Sequence, residues 1–374
     1  MALGGCSSLH DFFGTAPNKR EAEVVVPLAE RVIEEPISAN HFGLETESQS
    51  IVGVPQVVFA TSNDTLSDLA RAYGLGYDEL IAANPGVDPW LPGENTPILL
   101  PTQFIIPDVP REGIVLNMAS KRLFYFPTVP EGQPAIVKTY PIGIGRVGWE
   151  TPLGVTVVVD KAKDPHWYVP LSVRQEHAEQ GNPLPSVIPP GPENPLGHRV
   201  LKLEMPGYLI HGTNQPYGVG MRVSHGCVRL YPENIEYLYE LVEVGESVTI
   251  INEPFLMAQL NGEIYLESHT PLEDDTVSAD ERLDLLLEQW NAVPEAGLSE
   301  REIERAREIA ASAGGVPLRI ASTADEDALA HARVVRNAVE VDPEAPTLAE
   351  VREMIDESVR EADEEVGEPA VQSK

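Results

Sequence analysis

The chain has 374 residues, 42% of them apolar, enough for two or three domains with real hydrophobic cores. Its net charge of −33 argues against a nucleic-acid partner, because phosphates would be repelled by such a field. Two cysteines, Cys6 and Cys227, exclude a disulfide scaffold, and no apolar run approaches the length that crosses a bilayer.

At the start, Leu3-Gly4-Gly5-Cys6-Ser7-Ser8 looks like a lipobox, at which bacterial lipoproteins are cleaved and acylated on cysteine. Only five residues precede Cys6, without a charged or apolar leader. Residues 1–54 are read as a polar, proline-containing tether, with lipidation of Cys6 as the one expected link to a membrane.

Residues 55–103 read as a small separate module. Gln56 to Ala60 is a strand; Asp64 is placed to cap a helix whose Leu66, Leu69, Ala70 and Tyr73 follow helical spacing. A second helix runs from Asp78 to Ala83, stops at Asn84-Pro85, and Pro97 to Pro101 returns as a strand. This βααβ order, with Asn63-Asp64-Thr65-Leu66, Tyr73-Gly74, Glu79-Leu80 and Asn84-Pro85, resembles the LysM glycan-binding module. A structural spacer is the plainer alternative.

From 110 to 253 the pattern is mainly β, with strands expected at Gly113–Asn117, Leu123–Phe126, Val155–Val159 and Ser247–Ile251. Pro232 to Leu241 reads as a helix on Ile235, Leu238 and Tyr239. Gly181 to Gly197 is a long Pro/Gly loop that either lines the cleft or is a passive excursion. Trp167 and Tyr168 are candidate substrate contacts, with core or rim packing as the plainer reading.

The chemistry concentrates in Ser224-His225-Gly226-Cys227-Val228-Arg229, with His211 sixteen residues upstream of Cys227 in Ile210-His211-Gly212-Thr213. A thiol attacks as thiolate, and a neighbouring imidazole, above all as imidazolium, lowers its pKa. Gly226 lets the backbone approach a substrate closely, so N–H groups of the turn are placed to meet a developing oxyanion. The competing reading makes His211, His225 and Cys227 zinc ligands, although no CxxC or HExxH accompanies them.

These residues, with Tyr140-Pro141-Ile142-Gly143-Ile144-Gly145, Glu150-Thr151-Pro152-Leu153-Gly154 and Pro165-His166-Trp167-Tyr168-Val169-Pro170, resemble the L,D-transpeptidase catalytic-domain (YkuD) family, of the periplasmic ErfK/YbiS-like type. The resemblance implies Cys227 as nucleophile, His211 as general base and the Gly212 carbonyl as its orienting group. Ser224, His225 and Gly226 would shape the oxyanion side. Arg229 would steady the loop or a substrate carboxylate, in a place where many relatives carry Asn. It further implies attack on a peptidoglycan tetrapeptide stem at the L-centre of residue 3, loss of D-alanine, and transfer to an amine of a second stem or of an envelope lipoprotein. No metal or organic cofactor is implied, and the location implied is the periplasm.

Residues 260–374 change character: the segment from Asn261 holds 29 acidic and 10 basic residues. Ser278-Glu281, Ser299-Glu302, Thr323-Glu326 and Thr347-Glu350 each have capping-box spacing, so four helices are expected. Leu348, Val351, Ile355, Val359, Ala362 and Val366 form an apolar stripe on the last. The fold expected is thus a mainly β catalytic domain of YkuD-type β-sandwich form, a small βααβ module and an α-helical extension. Rival functions are an L,D-carboxypeptidase, a hydrolase releasing wall-bound protein, and a non-catalytic peptidoglycan-binding scaffold, which the intact His211, Gly212, His225 and Cys227 disfavour.

Overall fold

The computed structural model describes residues 27–130, 132–292, 297–321 and 328–339. Three short strands, β1 (His41–Gly43), β2 (Ile51–Gly53) and β3 (Gln56–Phe59), precede α1 (Leu66–Ala72), α2 (Tyr77–Ala83), β4 (Pro97–Leu100) and β5 (Gln103–Ile105). Then come β6 (Gly113–Asn117), β7 (Arg122–Phe126), β8 (Ile136–Pro141), β9 (Ile144–Gly145), β10 (Gly154–Lys163), β11 (Trp167–Tyr168) and α3 (Leu171–Glu179). They are followed by β12 (Val187–Ile188), β13 (Arg199–Leu203), β14 (Leu209–His211), β15 (Arg222–Ser224), β16 (Val228–Arg229), α4 (Pro232–Leu241) and β17 (Ser247–Ile251). The last elements are β18 (Phe255–Leu260), β19 (Glu263–Ser268), α5 (Ala279–Asn291), α6 (Glu300–Ser312), β20 (Leu318–Arg319), α7 (Ala328–His331) and β21 (Arg333–Val335).

A nine-stranded sheet in the order β1-β8-β7-β6-β17-β10-β13-β14-β16 forms the frame. Its central strands are apolar on both faces because both faces are covered. On β6 and β7, Ile114, Leu116, Leu123 and Tyr125 enter a core with Ile235 and Leu238 of α4, while Val115, Phe124 and Phe126 enter a second core. That second core also contains Val58, Leu66, Leu69, Leu80 and Leu100 of the β3-α1-α2-β4 module. Period-2 alternation, with each set of side chains finding its own partner, welds the module to the sheet.

The module is therefore no separate body. Arg122 of β7 is 1% exposed and meets Glu79 of α2 at 2.6 Å, with its guanidinium 4.0 Å from the Phe104 ring. Tyr231 donates to the Leu75 carbonyl, and a Cβ on Gly76 would fall 2.8 Å from the Cα of Gly220. The cap of α1 is Thr65, whose hydroxyl accepts from the Asp68 N–H, and not Asp64, which accepts from the Thr61 N–H instead.

Two expectations change at the ends. Residues 27–53 are not tether: β1 pairs with the β8 edge and β2 with β5. The acidic extension is partly β, since the hairpin β18–β19 and β20 make a sheet on which α5 and α6 pack through Leu283, Leu287, Ala306 and Ile309. Ser278 and Ser299 cap those helices as expected. Past them the chain returns, and β21 adds in parallel to β3 of the module. Cys6, the Thr323-Glu326 and Thr347-Glu350 boxes and the 348–366 stripe lie outside the described residues.

Removing one partner of a buried ion pair strands the other charge. Glu79→Ala should therefore lower unfolding stability by about 3–5 kcal/mol in urea titrations. Arg71→Ala, which breaks the half-exposed pair with Glu233, should cost at most about 1 kcal/mol. Similar losses in both variants would contradict the buried seam.

Candidate active site

Two parallel pairings bring the motif together. β14 runs beside β16, with Ile210 opposite Val228 and His211 opposite Arg229, and β15 runs beside β9. Cys227 thus stands at the head of the strand next to the one that ends in His211.

The turn before Cys227 is held from three sides. Ser224, 1% exposed, donates its hydroxyl to the Cys227 carbonyl at 2.5 Å. Thr151 donates to the Gly226 carbonyl at 2.8 Å. Gly226 has φ +93°, and a Cβ there would lie 3.1 Å from the Tyr208 ring and 3.2 Å from the Trp149 carbonyl, so only glycine fits. The Thr-Pro-Leu-Gly segment read from the sequence is therefore a wall of the turn.

His211 is 3% exposed, and its Nδ1 sits 2.5 Å from the Gly212 carbonyl. A carbonyl only accepts, so Nδ1 carries the proton and Nε2 is left as the basic atom. The Leu196 carbonyl also contacts the ring. Leu196 is fixed in turn by Asn194, wholly buried, which takes its N–H and donates to the Pro165 carbonyl. The end of the 181–197 loop is thus a support for His211. Asn194 escaped sequence reasoning because nothing local distinguishes it from a loop asparagine.

Burial first, and then the Arg229 charge, hold the His211 pKa down to about 3 against the opposing pull of the Gly212 and Leu196 carbonyls. Burial pushes the half-buried Cys227 thiol up, opposed by a backbone hydrogen bond from Leu209 and by Arg229. The resting pair is neutral thiol and neutral imidazole. This corrects the expectation of a thiol already lowered by imidazolium: desolvation penalises both charged forms and outweighs their neighbours. The Cys227 Sγ lies 3.6 Å from the Gly207 carbonyl.

His225 turns elsewhere. Its Nε2 is 3.0 Å from Glu176 on α3, and its ring meets Trp149 edge-on at 4.9 Å. Glu176 also binds Arg146 at 2.6 Å. Sequence reasoning missed α3, Glu176, Arg146 and Trp149; the run Leu171 to Glu179, free of Gly and Pro, was the available cue. Trp167 and Tyr168 pair with Ile188 and Val187, with Tyr168 74% exposed, and neither is hydrogen-bonded to Cys227 or His211. Among the described residues no group of three or more His, Cys, Asp or Glu is arranged to hold a metal ion.

Residues 111–250 match the family model of the L,D-transpeptidase catalytic domain, YkuD, and residues 61–89 match the LysM domain. Among curated proteins, the probable L,D-transpeptidase YcfS of Escherichia coli K12 is 40% identical over 245 residues, 64% of this chain and 75% of that protein. The chain belongs to the L,D-transpeptidase family. The probable L,D-transpeptidase YbiS of the same strain is 41% identical over 239 residues, covering 63% and 76%. ErfK/SrfK of Salmonella typhimurium LT2, also a probable L,D-transpeptidase, is 40% identical over 62% and 74%. The matched span of this transpeptidase includes both the His211 and Cys227 strands, and with a LysM domain beside them its business is peptidoglycan and the cell wall.

If the turn sets the nucleophile, Gly226→Ala should slow acylation of Cys227 by a carbapenem about 10²-fold, the scale of a misplacement near 1 Å. Ser224→Ala should slow it less. Intact-mass time courses read both, and unchanged rates would remove the turn from the mechanism.

Proposed function

We propose that Cys227 is the nucleophile and His211 the general base of a peptidoglycan acyl transfer. The observation that carries this reading is a half-buried thiol at the head of β16, the parallel neighbour of the strand that ends in a buried imidazole whose Nδ1 is tied to the Gly212 carbonyl. The donor is a tetrapeptide stem. Cys227 Sγ attacks the carbonyl at the L-centre of residue 3, and its proton passes to His211 Nε2 as the S–C bond forms. The negative oxygen is met by N–H groups of the Gly226–Cys227 turn, with the Arg229 charge nearby. Collapse breaks the C–N bond, His211 returns the proton to the departing amine, and D-alanine leaves a thioester. An acceptor amine then attacks, loses its proton to Nε2, and the C–S bond breaks to restore the thiol. A second stem gives a 3→3 cross-link; a lysine of an envelope protein gives anchoring.

A substrate of this kind puts the enzyme in the periplasm, with its LysM-like residues 55–103 holding glycan. Because that module shares the core under β6 and β7, bound glycan and thiol keep a fixed geometry.

Incubation with purified tetrapeptide muropeptides, read by mass spectrometry, tests the reading. Wild type should release D-alanine and form cross-linked dimer, whereas Cys227→Ala and His211→Ala should do neither. Tripeptide alone would identify a carboxypeptidase, and no change a scaffold. The pH dependence follows from the electrostatics. A base depressed to about 3 stays unprotonated as pH falls through the ordinary histidine range, so kcat/KM should show no acid limb centred near 6.5. A limb centred there would mean that the base is not the buried His211.

A further inference from the structure

Glu176 lies on α3, outside every motif so far discussed, yet it is the point at which the catalytic turn is fastened to the excursion between β10 and β13. One carboxylate oxygen is 2.6 Å from Arg146 and 3.3 Å from His225 Nε2; the other is 3.0 Å from the same Nε2. All three side chains are largely withdrawn from water, at 15% exposure for Glu176, 5% for Arg146 and 21% for His225. The other two corners are tied to the turn as well. Arg146 donates its backbone N–H to the Ser224 carbonyl at 3.0 Å and lies 5.5 Å from the Trp149 ring, which in turn meets His225 edge-on. His225 itself sits between Ser224, which bonds the Cys227 carbonyl, and Gly226, whose carbonyl is held by Thr151.

We propose that Glu176 is a positioning residue of the transpeptidation, clamping His225 and Arg146 so that the Gly226–Cys227 turn keeps its reactive geometry. It touches neither the thiol nor the base. Its action is through two flanking residues, and through α3 it couples the pose of the nucleophile to the β11-α3-β12 excursion. A single carboxylate accepting from two largely buried partners is worth more than either bond alone, since losing it removes a charge-assisted bond from Arg146 and from His225 at once. The proposal rests on the Cys227 reading.

The test compares Glu176→Ala, Glu176→Asp and Glu176→Gln in the full chain. Two rates are measured, D-alanine release from tetrapeptide and alkylation of Cys227 by iodoacetamide. The second needs no cell-wall substrate, so it reads the clamp even if the donor is misassigned; wild type inert to muropeptides but readily alkylated would overturn the donor and not the clamp. Glu176→Ala should lower kcat about 10²-fold with KM little changed, because the donor contacts stay while the attacking atom shifts. Glu176→Gln, which keeps an acceptor for one partner, should recover part of that loss, and alkylation should follow the same order. In the double variant with His225→Ala the losses should not add. The proposal is overturned if Glu176→Gln keeps wild-type kcat and alkylation, if KM rises while kcat holds, or if the two substitutions add fully. A variant that merely unfolds is recognised by its melting curve, in which case the glutamine variant decides.

Discussion

The placement of one proton governs this site. With Nδ1–H of His211 committed to the Gly212 carbonyl, only Nε2 is free to take a proton, and burial keeps that nitrogen bare. Much of the neighbouring architecture serves this arrangement. β14 and β16 are parallel neighbours, which sets His211 opposite Arg229, two residues beyond Cys227, and the 181–197 loop closes on Asn194 to bring Leu196 against the ring. A backbone carbonyl replaces the carboxylate that often orients a catalytic histidine, and carries less negative charge. The imidazole is oriented without being made a strong base. In the reaction proposed above, the proton would then move in step with S–C bond formation, instead of resting on the imidazole beforehand.

A second constraint is the doubly covered sheet. β6 and β7 send alternate side chains into two cores, and one of those cores is shared with the LysM-like module. Domain language suits the sequence better than the molecule: the buried Arg122–Glu79 pair and the contact of Gly76 with Gly220 make module and catalytic sheet one body. The returning β21 on β3 closes the open edge of that module, which would otherwise present unpaired backbone groups. The LysM-like module and the catalytic sheet are therefore related by a rigid frame and not by a linker.

What the sequence made legible follows the range of the interactions involved. Helix α4 was readable because Pro232 at its start and the spacing of Ile235, Leu238 and Tyr239 are local facts. The Gly212 and Gly226 geometry was readable because glycine at a turn beside a candidate nucleophile has few other uses. Asn194, Glu176 and Arg146 were not, since each acts through a partner far along the chain, such as Pro165 or His225, and a polar residue in a loop or short helix carries no mark of that. β1, β2 and β21 were missed for the same reason: strands of three residues have little periodicity, and their pairing is decided by distant edges. The ionisation of Cys227 and His211 lay beyond the motif altogether, because burial depends on the whole fold.

The neutral pair is the claim most specific to this account, and ultraviolet thiolate absorbance tests it directly. The difference titration between wild type and Cys227→Ala should show thiolate forming only above the ordinary thiol range, with little change on His211→Ala. A thiolate already present at neutral pH, and lost with His211, would contradict it.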